Sequence, residues 1–110
     1  LARYITKKGE LAEEADVATI FMNVNRPGGS NVRLFHRTLP GGSSGNLEDT
    51  AFVEATPVET IPTNDTAFAE VRYDIDPAGS FGSIQFKIVM TSTISSTPPR
   101  VRDFRAICAT

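Results

Sequence analysis

Apolar and polar residues alternate with a period of two along most of the chain. The clearest run covers residues 84–90, where Ile84, Phe86, Ile88 and Met90 occupy one side and mostly polar residues the other. A period of two is typical of a β-strand that buries one face. Weaker or shorter runs of the same kind cover residues 3–7, 18–25, 32–37, 52–58, 71–75 and 100–108.

Turn-forming residues separate these runs. Residues 26–31 (Arg-Pro-Gly-Gly-Ser-Asn) lie between 18–25 and 32–37, which predicts a hairpin that pairs these two strands. Residues 11–15 favour a helix, but so short a helix is unstable alone, and we expect a single turn. Residues 40–48 are rich in glycine and serine, which predicts a mobile loop with nothing to bury.

These features predict an all-β fold. We expect an antiparallel β-sandwich, jelly-roll-like, with six to eight short strands. A length of 110 residues suits one domain, so residues 1–110 should form a single β-sandwich domain. The chain begins with Leu1 rather than methionine, and we therefore expect it to be a fragment of a longer protein.

Charge and cysteine content narrow the possible partners. The net charge is −2, which disfavours nucleic acid as a partner. No apolar run approaches the roughly 20 residues that a membrane-spanning helix needs, so we expect no membrane insertion. The single cysteine, Cys108, cannot form an internal disulfide, which favours folding in a reducing compartment.

No combination of residues predicts catalysis. His36 is expected on the inward face of its strand beside Leu34, packed rather than catalytic. Cys108 lies in an apolar terminal strand, where a free cysteine usually behaves as a small hydrophobic residue. The glycines of residues 40–45 lack the lysine and helix of a phosphate-binding loop. We therefore expect no catalytic residue, no cofactor and no enzymatic activity.

Metal binding has two weak candidates. Asp74 and Asp76 are two residues apart near a predicted strand end, so their side chains point to the same side. Calcium requires six to eight oxygen ligands, and two aspartates alone supply few of them. We expect no metal site, with Asp74 and Asp76 as the calcium candidates and solvated turn aspartates as the alternative.

Four residues are candidates for an interface. Phe21 and Phe35 occupy the polar faces of two predicted neighbouring strands, where they either stack across the hairpin or are covered by another subunit. Arg100 and Arg102 share one strand face, and unbroken alternation places Arg105 on the opposite one. These arginines are interpreted as solvated or paired surface charge, with salt bridges between subunits as the alternative.

The opening and closing segments of the chain match a known pattern. They are residues 2–8 (Ala-Arg-Tyr-Ile-Thr-Lys-Lys), 84–93 (Ile-Gln-Phe-Lys-Ile-Val-Met-Thr-Ser-Thr) and 98–107 (Pro-Pro-Arg-Val-Arg-Asp-Phe-Arg-Ala-Ile). Together they resemble a β-sandwich domain of virion structural proteins in tailed bacteriophages, nearest to the contractile-tailed phages of cyanobacteria. The resemblance implies a tail, baseplate or fibre component, assembled in the host cytoplasm, whose partners are other virion proteins or copies of itself.

A carbohydrate-binding module is the main alternative. The closing segments also resemble those of jelly-roll modules that attach proteins to glycans, and the partner would then be a host-surface glycan. The chain departs from good sugar binders because it has no tryptophan and only two tyrosines, Tyr4 and Tyr73. A small enzyme is the third and least favoured hypothesis.

Overall fold

The computed structural model describes residues 2–5, 9–42, 45–77, 79–93 and 98–110. Within these ranges the chain forms eight β-strands and one short 3-10 helix, Leu47–Asp49, and contains no helix that could cross a membrane. The predicted all-β class and strand number are confirmed. The strands are β1 (Ala2–Ile5), β2 (Gly9–Ala15), β3 (Val17–Asn25), β4 (Ser30–Leu39), β5 (Val53–Ala55), β6 (Ala69–Ile75), β7 (Phe81–Ser92) and β8 (Arg100–Ala109).

Two antiparallel sheets pack face to face as a sandwich. Sheet A has the order β1-β7-β4-β5, and β2 pairs with β7 beyond β1. Sheet B has the order β6-β3-β8. The short strand β5 lies at one edge of sheet A. Pro57 then bridges to Tyr73 of β6 and links the two sheets along that side.

The core lies between the sheets, where the predicted inward faces meet. Phe86 is 4% exposed and packs edge-on against Phe104 of β8, with ring centroids 5.3 Å apart. Ile84 and Ile88 are also buried, and Met90 packs against the core from its margin, so the predicted core face of β7 is confirmed. The other buried hydrophobic side chains of the two sheets are Ala15, Val32, Leu34 and Phe81 from sheet A and Ala18, Ile20, Met22, Val24, Val71, Tyr73 and Ile75 from sheet B.

The predicted hairpin between the runs 18–25 and 32–37 is wrong. Residues 26–29 form a turn, with the amide of Ser30 bonded to the carbonyl oxygen of Pro27 at 3.1 Å. That turn carries the chain from β3 in sheet B to β4 in sheet A, and the two strands do not pair. Alternation identifies the side of a strand that is buried, but it contains no information about the neighbouring strand.

Two local predictions also fail. Residues 11–15 continue β2 rather than forming a helical turn, because pairing of β2 with β7 outweighs a weak helix propensity. In the 40–48 connection Leu47 is 1% exposed, so the expectation of nothing to bury is wrong at that residue. Residues 43–44 of this loop and residues 6–7 of the predicted first strand lie outside the described residues.

Candidate functional site

The outer surface of sheet A combines apolar and cationic side chains. One row of cross-strand neighbours, Ile5, Lys87, Phe35 and Glu54, runs over four strands. These residues face outward because their chain neighbours Leu34 and Ile88 are buried in the core. We call this surface the sheet A face; it comprises Ile5, Arg33, Phe35, Arg37, Phe52, Glu54, Gln85, Lys87 and Val89.

Cations contact both aromatic rings of the sheet A face. The Lys87 ammonium lies 4.6 Å from the ring centroid of Phe35 and 4.6 Å from that of Phe52. The Arg37 guanidinium lies 4.2 Å from the Phe52 centroid, and that of Arg33 lies 5.1 Å from Phe35. Each distance falls within the range of cation–π attraction. The rings therefore hold the charged groups in fixed positions above the sheet.

Hydrogen bonds distinguish the three cations. Arg33 donates to both carboxylate oxygens of Glu54, at 2.8 and 2.6 Å, which lowers the pKa of Glu54 and raises that of Arg33. Arg37 donates instead to neutral acceptors, Gln85 Oε1 at 2.8 Å and the carbonyl oxygen of Thr50 at 3.3 Å. Neither Arg37 nor Lys87 forms an ion pair with a carboxylate of the described residues.

The outer surface of sheet B, which we call the sheet B face, is more fully charge-paired. It comprises Phe21, Asn23, Phe68, Glu70, Arg72, Asp74, Arg100, Arg102, Asp103 and Arg105. Arg72 pairs with Asp74 at 3.0 Å, Arg105 with Glu70 at 2.9 Å and Arg102 with Asp103 at 3.9 Å. Arg100 donates to Asn25 at 3.4 Å. Three of the four arginines on this face thus have a carboxylate partner within the described residues.

A β-bulge places all three arginines of β8 on one face. Asp103 has a φ of 55°, and the register with β3 shifts between the Phe21 and Asn23 pairs. The extra residue reverses the alternation, so Arg105 lies opposite Phe21 and shares the outer face with Arg100 and Arg102. The prediction of opposite faces is therefore wrong, because it assumed unbroken alternation.

The two candidate interface phenylalanines are far from being a stacked pair. Phe21 lies on the sheet B face, with Arg105 4.8 Å and Arg72 5.9 Å from its ring centroid. Phe35 lies on the sheet A face, on the other side of the sandwich. The predicted stacking across a hairpin is wrong because β3 and β4 belong to different sheets. The four interface candidates separate accordingly, with Phe35 on one face and Phe21, Arg100 and Arg102 on the other.

A groove lies where β4 and β5 of sheet A meet the end of β6. It has a volume of about 540 Å³, and its lining includes His36, Thr38, Glu54, Asp74 and Asp76. Asp74 is already paired with Arg72, and among the described residues no group of three or more histidine, cysteine or acidic side chains is placed to hold a metal ion. The groove therefore brings the two aspartates near His36 without assembling a ligand set for calcium.

The surroundings of His36 and Cys108 do not indicate a nucleophile pair, because burial alone shifts the pKa of each. The two residues belong to different sheets, His36 to β4 and Cys108 to β8. Burial lowers the pKa of His36, whose Nδ1 atom is buried without a hydrogen-bond partner within the described part of the chain. Burial likewise raises the pKa of the Cys108 thiol, which packs against the core. A neutral imidazole and a protonated thiol fit packing positions, and a reactive thiolate would need a lowered pKa.

Sequence reasoning did not identify Lys87, Arg37 and Phe52 as parts of a site. The signal was the alternation Arg33-Phe35-Arg37, which places two cations and a ring on one strand face. Lys87 and Phe52 join them only through the registers of β7 and β5 with β4, and those registers are not visible in the sequence. Comparison with protein-family models, curated proteins and solved structures found no match to this chain.

Proposed function

We propose that this chain is a non-enzymatic structural or adhesion domain of a virion component, from a phage tail, baseplate or fibre. In this proposal the sheet A face docks against another virion protein or a second copy of the same protein. The component is assembled in the host cytoplasm and resides in the virion. The β-sandwich supplies a rigid platform, and no cofactor takes part.

One observation supports this proposal above the others: the sheet A face is suited to being covered. Ile5 is 50% exposed, and Phe35, Phe52 and Val89 are only half-buried, so apolar surface remains in contact with water. Lys87 and Arg37 lie among these side chains without a carboxylate partner in the described part of the chain. Aromatic and arginine side chains are enriched at the centres of protein interfaces.

The virion part of the proposal is supported by the resemblance of residues 2–8, 84–93 and 98–107 to phage β-sandwich domains. The structure gives those segments a common role, because β1 pairs with β7 and β8 packs Phe104 against Phe86 of β7. The resemblance therefore concerns strands that contact one another, with β7 inside sheet A and β1 and β8 at the ends of the two strand orders. Such strands define a fold more than a ligand.

The test uses the full-length protein. Peptide mass spectrometry of purified particles should detect it in the virion, and light scattering should give the mass of an oligomer or of a complex with another virion protein. A full-length protein that is monomeric and absent from purified particles would overturn the proposal.

A carbohydrate-binding module remains the second candidate, and the groove beside His36 is the observation that favours it. Its lining carries hydroxyl, carboxylate and imidazole groups, including Thr38, Asp76 and His36, which can exchange hydrogen bonds with sugar hydroxyls. No phenylalanine or tyrosine is among the residues that line it, so a sugar bound there would not stack on an aromatic ring. Binding to a glycan array that Asp76→Asn abolishes would support this candidate.

A further inference from the structure

We propose that the sheet A face recognises an acidic protein segment, and that Lys87 and Arg37 bind its carboxylates. This inference rests on the proposed function and specifies the chemistry of the partner. The two cations lie within about 9 Å of each other, since neither is more than 4.6 Å from the Phe52 ring centroid. They form a compact pair rather than two scattered surface charges.

The charges are arranged before any partner arrives. Lys87 is half-buried and lies close to both rings, and the guanidinium of Arg37 is held by Gln85 and by the ring of Phe52. Side chains already restricted in this way lose less conformational entropy on binding than mobile surface lysines. A carboxylate that reaches them gains charge-assisted hydrogen bonds beside apolar surface.

An extended peptide can reach both cations, which lie within about 9 Å of each other. Alternate residues of a β-strand lie roughly 6.6 Å apart on one side, so two acidic residues separated by one position can reach both cations. The neighbouring apolar side chains Ile5 and Val89 would contact the apolar residues of the same segment. A protein segment that presents carboxylates and apolar side chains on the same side, at alternate positions along the strand, therefore complements both features of the face.

An anionic polysaccharide or nucleic acid fits less well. Each ring already has two cations within 6 Å of its centroid, so a sugar or base that stacked on Phe35 or Phe52 would compete with them. Two available cations also give little of the counterion release that drives binding to nucleic acid.

The test is titration of the 110-residue chain with a fluorescent peptide of alternating glutamate and serine. Affinity should fall by about tenfold or more as salt rises from about 0.05 to about 0.5 M, since the contacts are ionic. Arg37→Gln with Lys87→Gln should reduce affinity by about tenfold as well. Arg72→Gln with Arg105→Gln removes two cations of the sheet B face and serves as the matched control, which should bind as the unmodified chain does.

Three results would overturn this inference. The first is that a glutamine–serine peptide binds as tightly as the glutamate–serine peptide. The second is that the control variant loses as much affinity as the Arg37 and Lys87 variant. The third is that the uronic acid polymer alginate binds more tightly than the glutamate–serine peptide. A chain that fails these tests but is found in purified virions leaves the proposed function standing. A chain that passes them but is absent from virions fails the proposed function alone.

Discussion

The two outer faces of the sandwich use the same residue types to opposite effect. On the sheet B face, Arg72, Arg102 and Arg105 each have a carboxylate partner, while Arg100 is held by a neutral acceptor, Asn25. On the sheet A face Glu54 neutralises Arg33, while Arg37 and Lys87 are held by rings and by neutral acceptors. An arginine over a phenyl ring is therefore not in itself a binding feature; what distinguishes the faces is whether the charge is already satisfied.

The largest expected effect concerns the core that both faces share. Phe86→Ala removes a ring that is 4% exposed and packed on Phe104, and should destabilise the fold by about 3–5 kcal/mol. Lys87→Ala, its outward-facing neighbour, should cost less than about 1 kcal/mol. Urea unfolding monitored by circular dichroism measures both. A larger loss for Lys87→Ala would show that the assignment of inner and outer faces is wrong.

Tyr73→Phe tests the inner side of sheet B. Tyr73 is 1% exposed, and its hydroxyl has no hydrogen-bond partner within the described residues; burial raises its pKa to about 12. An unsatisfied buried hydroxyl is unfavourable, so its removal should stabilise the protein by about 1 kcal/mol. Thermal unfolding provides the comparison. A decrease in stability of similar size would mean that the Tyr73 hydroxyl has a hydrogen-bond partner in solution.

Neutralising carboxylates of the sheet B face should give that face unpaired cations like those of the sheet A face. Glu70→Gln with Asp74→Asn leaves Arg105 and Arg72 without their partners. Exposed ion pairs contribute roughly 0.2–1 kcal/mol each, so stability should change little. Binding of the glutamate–serine peptide should increase and become more sensitive to salt. An unchanged titration would indicate that unpaired charge is not what separates the two faces.

The smallest expected effect is the pH dependence from Glu54. Its pKa is lowered by the hydrogen bond from Arg33, so its contribution to stability is complete at neutral pH and disappears as the pH falls through that lowered pKa. The melting temperature of Glu54→Gln should therefore lie slightly below that of the unmodified chain at neutral pH and converge with it in acid. A difference that widens in acid would contradict the pairing of Glu54 with Arg33.

Alternation predicted which residues are buried but not which strands are neighbours. The inward positions of β7 follow directly from the run 84–90, whose spacing alone separates Phe86 from Lys87. The partner of β4 is β7, more than 40 residues away, and that pairing depends on packing of the whole chain. The proline–glycine turn at residues 27–29 is equally compatible with a hairpin and with a connection between sheets.

The candidate site was less predictable for the same reason. Phe35 was identifiable as an aromatic residue on a polar face, yet its contact with Lys87 exists only because of the β4–β7 register. The bulge at Asp103 was also not visible, since aspartate adopts a positive φ only occasionally and the residues around it continue an ordinary strand pattern. The composition of the outer faces thus depends on long-range strand pairing and on local irregularities, which the sequence pattern does not predict.

Hydroxyl-radical footprinting of the full-length protein, free and in the assembled particle, tests the central claim most directly. The method reports solvent access at phenylalanine side chains, and each face carries a suitable pair. Phe35 and Phe52 on the sheet A face should become protected on assembly, while Phe21 and Phe68 on the sheet B face keep their reactivity. Protection of Phe21 and Phe68 with no change at Phe35 and Phe52 would contradict the account.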